Sequence, residues 1–289
     1  MTKKTAKKND QPSKYGTTSD TTDANGFIIN STCKIEGTIP GKAWMHVLNN
    51  GAVPGTEPYL SAWTPNANGF SAYRSINGGS ITGRKHEVYK PINTDDIEKR
   101  HFFLLDNDSK SKCTKLFSQS VAVISPCSFV TESESDDISG HLEVICPNGS
   151  PFELWELTLK NHTAKKKALD LFILVNWNPP VNTDTVHPSS LLNLPEYRKG
   201  GVFTFPISRN SKQLTAWLIS EAEPESFELS LEDFFGSHTP NDSPVSVLNG
   251  TLNSPKAIAP GHTPCAALQL KIQLPPKGEL SRRLALGIT

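Results

Sequence analysis

The chain has 289 residues, and its 29 Lys and Arg residues balance its 29 Asp and Glu residues, so the formal net charge at pH 7 is zero. This balance provides no overall attraction to nucleic acid or to an anionic membrane, and we expect neither as a partner. No stretch approaches the roughly 18 apolar residues that a membrane-spanning helix needs. The 22 Pro and 19 Gly residues favour many short strands and turns over long helices.

The first 25 residues contain five Lys and almost no apolar side chain. Such a segment cannot bury enough surface to fold, so we predict a disordered, lysine-rich leader over residues 1–25. It lacks the apolar region of a secretory signal. The five Cys residues are scattered without a CxxC pair, and together with the missing signal they predict reduced thiols and a cytoplasmic location.

From residue 27 onward the pattern indicates strands separated by polar turns. Residues 101–105 and 113–117 flank a polar segment typical of a hairpin turn, and residues 202–207 and 214–220 form a second pair of this kind. Residues 268–274 alternate between apolar and polar side chains. We count roughly fourteen or more strands and no helical segment longer than about two turns. The sequence therefore predicts an all-β fold, a large antiparallel sandwich of two big sheets.

Residues 151–177 give the densest strand signal. Trp155, Leu157 and Leu159 share one face of a first strand, whose other face is polar. The second strand, residues 169–175, is apolar on both faces, so we place it in the middle of a sheet. A polar, lysine-rich turn joins the two strands. We expect Trp155 and Trp177 in the interior.

Residues 49–81 and 178–201 are long stretches rich in Gly, Pro and Asn, which we interpret as irregular loops. Loops of this length inside a compact domain are usually functional. The first loop combines aromatic rings, which can pack against the apolar face of a pyranose, with amide and guanidinium groups that can bind hydroxyls. We therefore predict a sugar-binding loop; the alternative is that the rings only fix the loop to the sheet. The side chains concerned are Trp63, Asn66, Asn68, Phe70, Tyr73 and Arg74.

Several short segments follow one another in a recognisable order along the chain. They are residues 44–50 (WMHVLNN), 69–74 (GFSAYR), 102–108 (FFLLDND), 152–161 (FELWELTLKN), 233–236 (DFFG), 247–250 (VLNG) and 284–287 (LALG). In this order they resemble glycoside hydrolase family 94, formerly glycosyltransferase family 36. That family contains the cellobiose, chitobiose and β-1,2-oligoglucan phosphorylases and the cyclic β-1,2-glucan synthases. The resemblance extends from about residue 27 to residue 289.

The resemblance implies a galactose mutarotase-like β-supersandwich over residues 26–289. In the family this N-terminal domain is followed by a linker and an (α/α)6 barrel, which carries the general acid and most of the phosphate site. Inverting cleavage needs an acid on the leaving oxygen. Because the sequence ends at Thr289, we expect no catalytic residue here and no activity of the chain alone. We also expect no cofactor and no metal.

The resemblance also implies partners. These are a β-linked glucan or disaccharide, bound weakly, a catalytic (α/α)6 barrel domain or chain, and a second copy of the chain in a homodimer. The family's counterpart of residues 69–74 lies near the active-site entrance. The segment from Trp63 to Arg74 is therefore expected to face either the sugar or the barrel.

Three functions remain open on this evidence. The chain can be the carbohydrate-associated module of a family 94-like phosphorylase or glycosyltransferase, non-catalytic alone, as a truncated product or one half of a split enzyme. It can be a free-standing β-glucan-binding module that uses the Trp63–Arg74 segment. Or it can be a sugar enzyme like the aldose mutarotases, which share the fold and use a His–Glu acid–base pair. Fold alone does not decide among them.

Overall fold

The computed structural model describes residues 7–13, 16–35, 45–51, 59–73, 79–80, 99–108, 113–177, 193–206, 215–236, 242–257 and 262–289. Within these residues, strands β1 to β20 form three antiparallel sheets of 11, five and four strands. The 11-stranded sheet contains, in spatial order, β1 (Lys7–Ser13), β2 (Gly16–Thr22), β3 (Ile28–Ile35), β10 (Val121–Ile124), β11 (Ser128–Ser133), β12 (Ile138–Ile145), β13 (Phe152–Asn161), β20 (Glu279–Ile288), β17 (Ala216–Ser220), β16 (Gly201–Pro206) and β15 (Asn193–Arg198).

The two smaller sheets and two short helices complete the described part of the fold. The five-stranded sheet contains β18 (Ser226–Ser230), β19 (Pro264–Leu274), β14 (Lys167–Asn176), β8 (Arg100–Asp106) and β9 (Cys113–Lys115). The four-stranded sheet contains β4 (His46–Asn49), β5 (Tyr59–Trp63), β6 (Gly69–Tyr73) and β7 (Gly79–Ser80). The helices are α1 (Leu231–Phe235) and α2 (Val245–Asn249). Neither is long and apolar enough to cross a membrane.

The all-β prediction is confirmed, including the predicted hairpin pairs β8–β9 and β16–β17. The four-stranded sheet is an addition to the two sheets that we predicted. Three of its strands, β5 to β7, lie within residues 49–81, so the interpretation of that stretch as an irregular loop is wrong for them. The second stretch interpreted as a loop, residues 178–201, lies outside the described residues up to residue 192. From residue 193 onward the loop interpretation is wrong, because this part contains β15 and the start of β16.

Strands β13 and β14 confirm the pattern of residues 151–177. In β13, Trp155, Leu157 and Leu159 are buried and their neighbours on the opposite face are more exposed. Strand β14 is buried on both faces and is the third of five strands. The two strands do not pair, because β13 belongs to the 11-stranded sheet and β14 to the five-stranded sheet. The lysine-rich turn thus carries the chain from one sheet to the other.

Asn161 fixes this change of sheet. Its buried side-chain Nδ2 donates to the carbonyl oxygen of Lys165 at 2.7 Å and to that of Pro275 at 2.9 Å. Its Oδ1 accepts from the backbone N–H of Thr163 at 2.9 Å. Pro275 lies in the turn between β19 and β20, which connects the same two sheets. One buried amide therefore holds two corners of the sandwich together.

Hydrophobic clusters cover both faces of the five-stranded sheet. The larger cluster lies between this sheet and the 11-stranded sheet, and it takes Leu171 and Ile173 from β14. The smaller cluster takes Phe172 and Leu174 from the other face of β14 and packs them with helix residues such as Phe234. The alternation along β14 therefore divides its side chains between two cores, which explains why the strand is apolar on both faces.

Two parts of the segment predicted to be a disordered leader form strands instead. Strands β1 and β2 pair with each other, β2 pairs with β3, and β3 pairs with β10 at the edge of the main body. The side chains of β2 are polar and half-buried, and backbone hydrogen bonds along the sheet edge hold this strand without the apolar core that our prediction required. The domain start at residue 26 stays a prediction.

Candidate functional site

The segment predicted to bind sugar is a β-hairpin of the four-stranded sheet. Strands β5 and β6 pair from Tyr59 with Tyr73 to Trp63 with Gly69. The turn between them is closed by the backbone N–H of Thr64, which donates to the carbonyl oxygen of Asn68 at 2.8 Å. The inward positions of these strands include Ser and Gly as well as aromatic residues, so the sequence lacks the apolar alternation that marks an ordinary strand.

Three of the predicted sugar-binding side chains are buried. Trp63, Asn68 and Phe70 have exposed fractions of 0%, 2% and 4%. The Trp63 ring stacks on Phe129 with 5.4 Å between centroids, and Cζ of Arg100 lies 4.0 Å from the Trp63 centroid. A pyranose needs an exposed ring face, and neither Trp63 nor Phe70 offers one on which a sugar could stack. Trp63 packs in the larger hydrophobic cluster and fixes the hairpin to the core, as in the alternative interpretation.

The other three predicted residues differ in how far the structure describes them. Asn66 is half-buried, and its side-chain Oδ1 accepts a hydrogen bond from the hydroxyl of Thr64 within the turn. Tyr73 is the last residue of β6, and Arg74 lies outside the described residues. A role for these residues in sugar binding, or in contact with a barrel domain, stays a prediction.

A buried ion pair lies beneath the hairpin. Nη2 of Arg100 is 3.2 Å from Oε1 of Glu153, and both side chains are fully buried. The Ser71 hydroxyl donates to the same Oε1 at 2.7 Å, and Nη1 of Arg100 donates to the carbonyl oxygen of Ala62 at 2.9 Å. Ala62 and Ser71 belong to the four-stranded sheet, Arg100 to the five-stranded sheet and Glu153 to the 11-stranded sheet. The network therefore joins all three sheets.

Burial dominates the electrostatics of this network. It raises the pKa of Glu153, although the charge of Arg100 and the hydrogen bond from Ser71 oppose this shift. Burial lowers the pKa of Arg100, and the charge of Glu153 opposes that shift in turn. Burial, followed by the charge of Glu153, also holds the pKa of the neighbouring Tyr59 well above its usual range. Because all of these groups are sealed from solvent, the network can hold the sheets in place but cannot act on a substrate.

Sequence reasoning did not identify Arg100 and Glu153, although one signal was present. Glu153 shares the parity of Trp155 and Leu157 in β13, so the same alternation that buries those residues also buries the carboxylate. A charge at a core position requires a partner of opposite sign. Arg100 directly precedes the apolar run of residues 101–105 and is the matching cation.

The outer face of the 11-stranded sheet carries an open polar groove of about 750 Å³. On one side of it, Nδ1 of His141 lies 2.9 Å from Oε1 of Glu132. On another, Nε2 of His162 lies 2.7 Å from Oγ of Ser139. Lys160 adds a positive charge to the lining. Hydroxyl, imidazole and carboxylate groups of this kind can exchange hydrogen bonds with a polyhydroxylated ligand.

The same outer face becomes apolar toward the other end of its strands. Ile145, Leu154, Ala285 and Ile219 are register partners across β12, β13, β20 and β17. Ile145 and Leu154 are each 38% exposed. These aliphatic side chains are aligned across four strands, and we call them the outer apolar row; Ala285, at 8% exposure, contributes little to the surface.

A second row beside the outer apolar row contains aromatic rings. Phe152, Gly287, Trp217 and Phe203 are register partners across four strands. The ring centroids of Phe152 and Trp217 lie 6.0 Å apart, above Gly287. A Cβ atom at Gly287 would lie 2.4 Å from Cβ of Phe152 and 2.7 Å from Cζ2 of Trp217. Only glycine at this position allows the two rings to approach each other.

Comparison with known proteins assigns the fold to a family. The model of the glycosyl hydrolase 94 supersandwich domain matches residues 42–289. The chain belongs to this family. N,N'-diacetylchitobiose phosphorylase of Vibrio proteolyticus is 20% identical over 247 residues, which cover 81% of this chain and 30% of the phosphorylase. The chain thus spans less than a third of the length of this curated relative.

A solved structure supports the fold alone. The crystal structure of a bacterial glucoamylase complexed with acarbose aligns with a TM-score of 0.53 and 9% sequence identity, covering 88% of this chain and 34% of the glucoamylase. The resemblance to glycoside hydrolase family 94 predicted from short segments is confirmed, and with it the supersandwich fold. The chain therefore carries a domain of a carbohydrate-active family.

Within the described residues, no group of three or more His, Cys, Asp or Glu side chains is arranged to hold a metal ion. The acidic turn between β11 and β12 belongs to the rim of the polar groove. The resemblance implied that this domain carries no catalytic residue, and this stays a prediction.

Proposed function

We propose that this chain is the carbohydrate-associated supersandwich module of a family 94 phosphorylase-like or glycosyltransferase-like enzyme, non-catalytic by itself, and that it works with a catalytic (α/α)6 domain. The observation that carries the proposal is the family match over residues 42–289, which covers all three sheets except β1 to β3. A β-linked glucan or disaccharide is the proposed substrate of the complete enzyme. We further propose that the part of the domain that pairs directly with the main body begins near residue 26, since β3 pairs with β10, whereas β1 and β2 only extend the sheet beyond β3.

The described His–Glu pair supports this proposal over a mutarotase-like activity. Acid–base catalysis on a sugar ring needs two groups that reach different atoms of one bound substrate. His141 and Glu132 instead contact each other at 2.9 Å, with side chains 42% and 51% exposed. The carboxylate of Glu153, paired with Arg100, is fully buried and cannot reach a substrate. Neither arrangement leaves a sugar ring between an acid and a base.

The outer apolar row supports a protein partner for the module. Ile145 and Leu154 expose aliphatic surface side by side, and the aromatic row next to them extends this apolar surface. The next row on the same face is charged, with Glu143, Glu156 and Arg283 in register. An apolar, aromatic-rich centre with a polar rim is typical of an interface. We propose that the catalytic domain covers this part of the outer face. Cytoplasmic localisation and a homodimer stay predictions.

Leu154→Glu is expected to abolish association with a family 94 (α/α)6 domain produced separately. A buried carboxylate without a partner opposes the contact that the leucine supports. Glu143→Gln is the matched control, because Glu143 is an exposed residue of the adjoining strand β12. Size-exclusion chromatography of mixtures should show co-elution for wild type and Glu143→Gln only. Co-elution of Leu154→Glu at the wild-type level, or none for wild type, would contradict the proposed contact.

A further inference from the structure

The first three strands form an arm at one edge of the 11-stranded sheet. On one side of β3, strand β2 pairs with it from Ile28 to Ile35. On the other side, β3 pairs with β10 only from Cys33 to Ile35, because β10 ends at Ile124. Residues 28–32 therefore extend beyond β10, and no strand of the described residues pairs with them on that side. We call residues 28–32 the free edge.

The most exposed large apolar side chains of the described residues lie where β3 begins. Phe27, Ile28 and Ile29 have exposed fractions of 70%, 61% and 62%, whereas the other exposed side chains of this kind reach at most 43%. Hydrogen bonds order the turn that precedes them. Oδ1 of Asp23 accepts from the backbone N–H of Asn25 at 2.8 Å and from that of Phe27 at 3.0 Å. Three adjacent apolar side chains are thus presented to solvent beside an unpaired strand edge.

The free edge lacks the residue types that protect a strand edge. Unpaired backbone N–H and C=O groups are a template for pairing with another chain, and charged side chains or proline in the strand ordinarily prevent this. Residues 27–32 (FIINST) contain no charged residue and no Pro. By contrast, β1, the outermost strand of the same arm, contains two Lys, one Asp and one Pro (KKNDQPS). The arm therefore has one strand of the protected type and one edge that is open to pairing.

A second copy of the chain fits this edge. Two identical strands can pair antiparallel about a twofold axis, and the contact is closed because it uses both free edges. An uncharged strand meets no like charge in its own copy, and two chains with a formal net charge of zero do not repel each other overall. The exposed side chains at the start of β3 also lose contact with water in such a pair, which favours association.

We propose that two copies of this chain dimerise through the free edge, with β3 of one copy paired antiparallel with β3 of the other. Asn30 is the middle residue of the free edge, so the twofold axis passes close to it and brings the two Asn30 side chains together. The arm precedes residues 42–289, which match the family domain, so this contact is separate from the shared domain. The edge is short, and we expect a weak dimer with a dissociation constant on the order of 10–100 μM.

The test is sedimentation velocity of the purified chain from micromolar to millimolar concentration, over which the wild type should pass from monomer to dimer. Asn30→Lys and Asn30→Asp each place like charges together at the axis, so each should raise the dissociation constant at least about tenfold. An equimolar mixture of the two variants should form a heterodimer, because unlike charges then meet, and misfolding of the arm would not give this result. Thr21→Lys is the matched control: Thr21 pairs with Asn30 on the β2 side, away from the free edge, and its variant should dimerise like the wild type.

A wild-type chain that stays monomeric at millimolar concentration would overturn the proposal, and so would growth beyond the dimer, because twofold pairing is closed. Dimers of Asn30→Lys and Asn30→Asp as stable as those of the wild type would place the contact elsewhere. A mixture of the two variants that remains monomeric would likewise contradict pairing at this edge. Co-elution with the catalytic domain is measured separately through Leu154→Glu, so failure of the dimer and failure of the proposed function are distinguishable.

Discussion

Replacing Arg100 with methionine is expected to lower the free energy of unfolding by about 3–5 kcal/mol, the usual cost of leaving one member of a buried ion pair without its partner. Arg100 and Glu153 are both fully buried, and the guanidinium also binds the carbonyl oxygen of Ala62 and the hydroxyl of Ser71. The substitution leaves the Glu153 carboxylate desolvated and uncompensated. Chemical denaturation monitored by tryptophan fluorescence measures the loss.

A surface ion pair provides the matched control. Nε of Arg283 lies 2.7 Å from Oε2 of Glu156, with side chains 69% and 42% exposed. Exposed pairs contribute about 0–1 kcal/mol, so Arg283→Met should change stability little. The double variant Arg100→Met/Glu153→Leu should regain much of the lost stability, since both charges are then removed. Equal losses for Arg100→Met and Arg283→Met would contradict a structural role for the buried network.

The Arg100→Met variant should also become less stable as the pH rises. Burial already raises the pKa of Glu153 above its ordinary value of 4.5, and the removed cation was the main opposing influence. The native variant therefore retains a proton that the unfolded chain releases above that value. Because the native state binds this extra proton, the free energy of unfolding falls as the pH rises from the pKa of Glu153 in the unfolded chain toward its higher pKa in the native variant. A variant whose stability rose between about pH 5 and pH 8, relative to wild type, would contradict this assignment.

Trp177→Ala is expected to cost about 3–5 kcal/mol, as large-to-small substitutions of buried aromatic residues do. Trp177 follows β14 directly, is 2% exposed and belongs to the larger hydrophobic cluster. Lys166→Ala, in the exposed turn before β14, should change stability by less than about 0.5 kcal/mol. Thermal and urea unfolding of the two variants test this. Equal effects at both positions would show that Trp177 does not contribute to the core.

The strands that alternate clearly could be predicted from the sequence. In β13 the burial of Trp155, Leu157 and Leu159 follows from period-two alternation. In β14 apolar side chains on both faces predict a strand covered on both sides, and the two faces pack in two different clusters. Periodicity identifies the strand and its buried face, because side chains on a strand point alternately to opposite sides. It does not identify the sheet to which the strand belongs, and the change of sheet at Asn161 was therefore not predicted.

The hairpin of β5 and β6 shows the opposite case. Its interior contains Ser61 and Ser71 because a buried Arg100 needs hydrogen-bond acceptors, and polar inward positions remove the signal on which strand prediction depends. The aromatic residues of the same segment suggested a sugar platform, whereas Trp63 packs in the core. Composition suits both a binding loop and a buried hairpin, and only the three-dimensional contacts distinguish them. The polar groove likewise combines residues from β11, β12, β13 and β20, which no local pattern connects.

One measurement tests most directly whether this supersandwich module is non-catalytic by itself. The purified chain is incubated with phosphate and with cellobiose, sophorose or N,N'-diacetylchitobiose, and sugar 1-phosphate is followed by ³¹P NMR against an enzyme-free blank. Phosphorolysis needs an acid at the glycosidic oxygen and a phosphate on the opposite face of the sugar, and the module is proposed to supply neither. We predict no sugar 1-phosphate above the blank with any of the three disaccharides. Its formation by the chain alone, at a rate proportional to protein concentration, would contradict the proposed function.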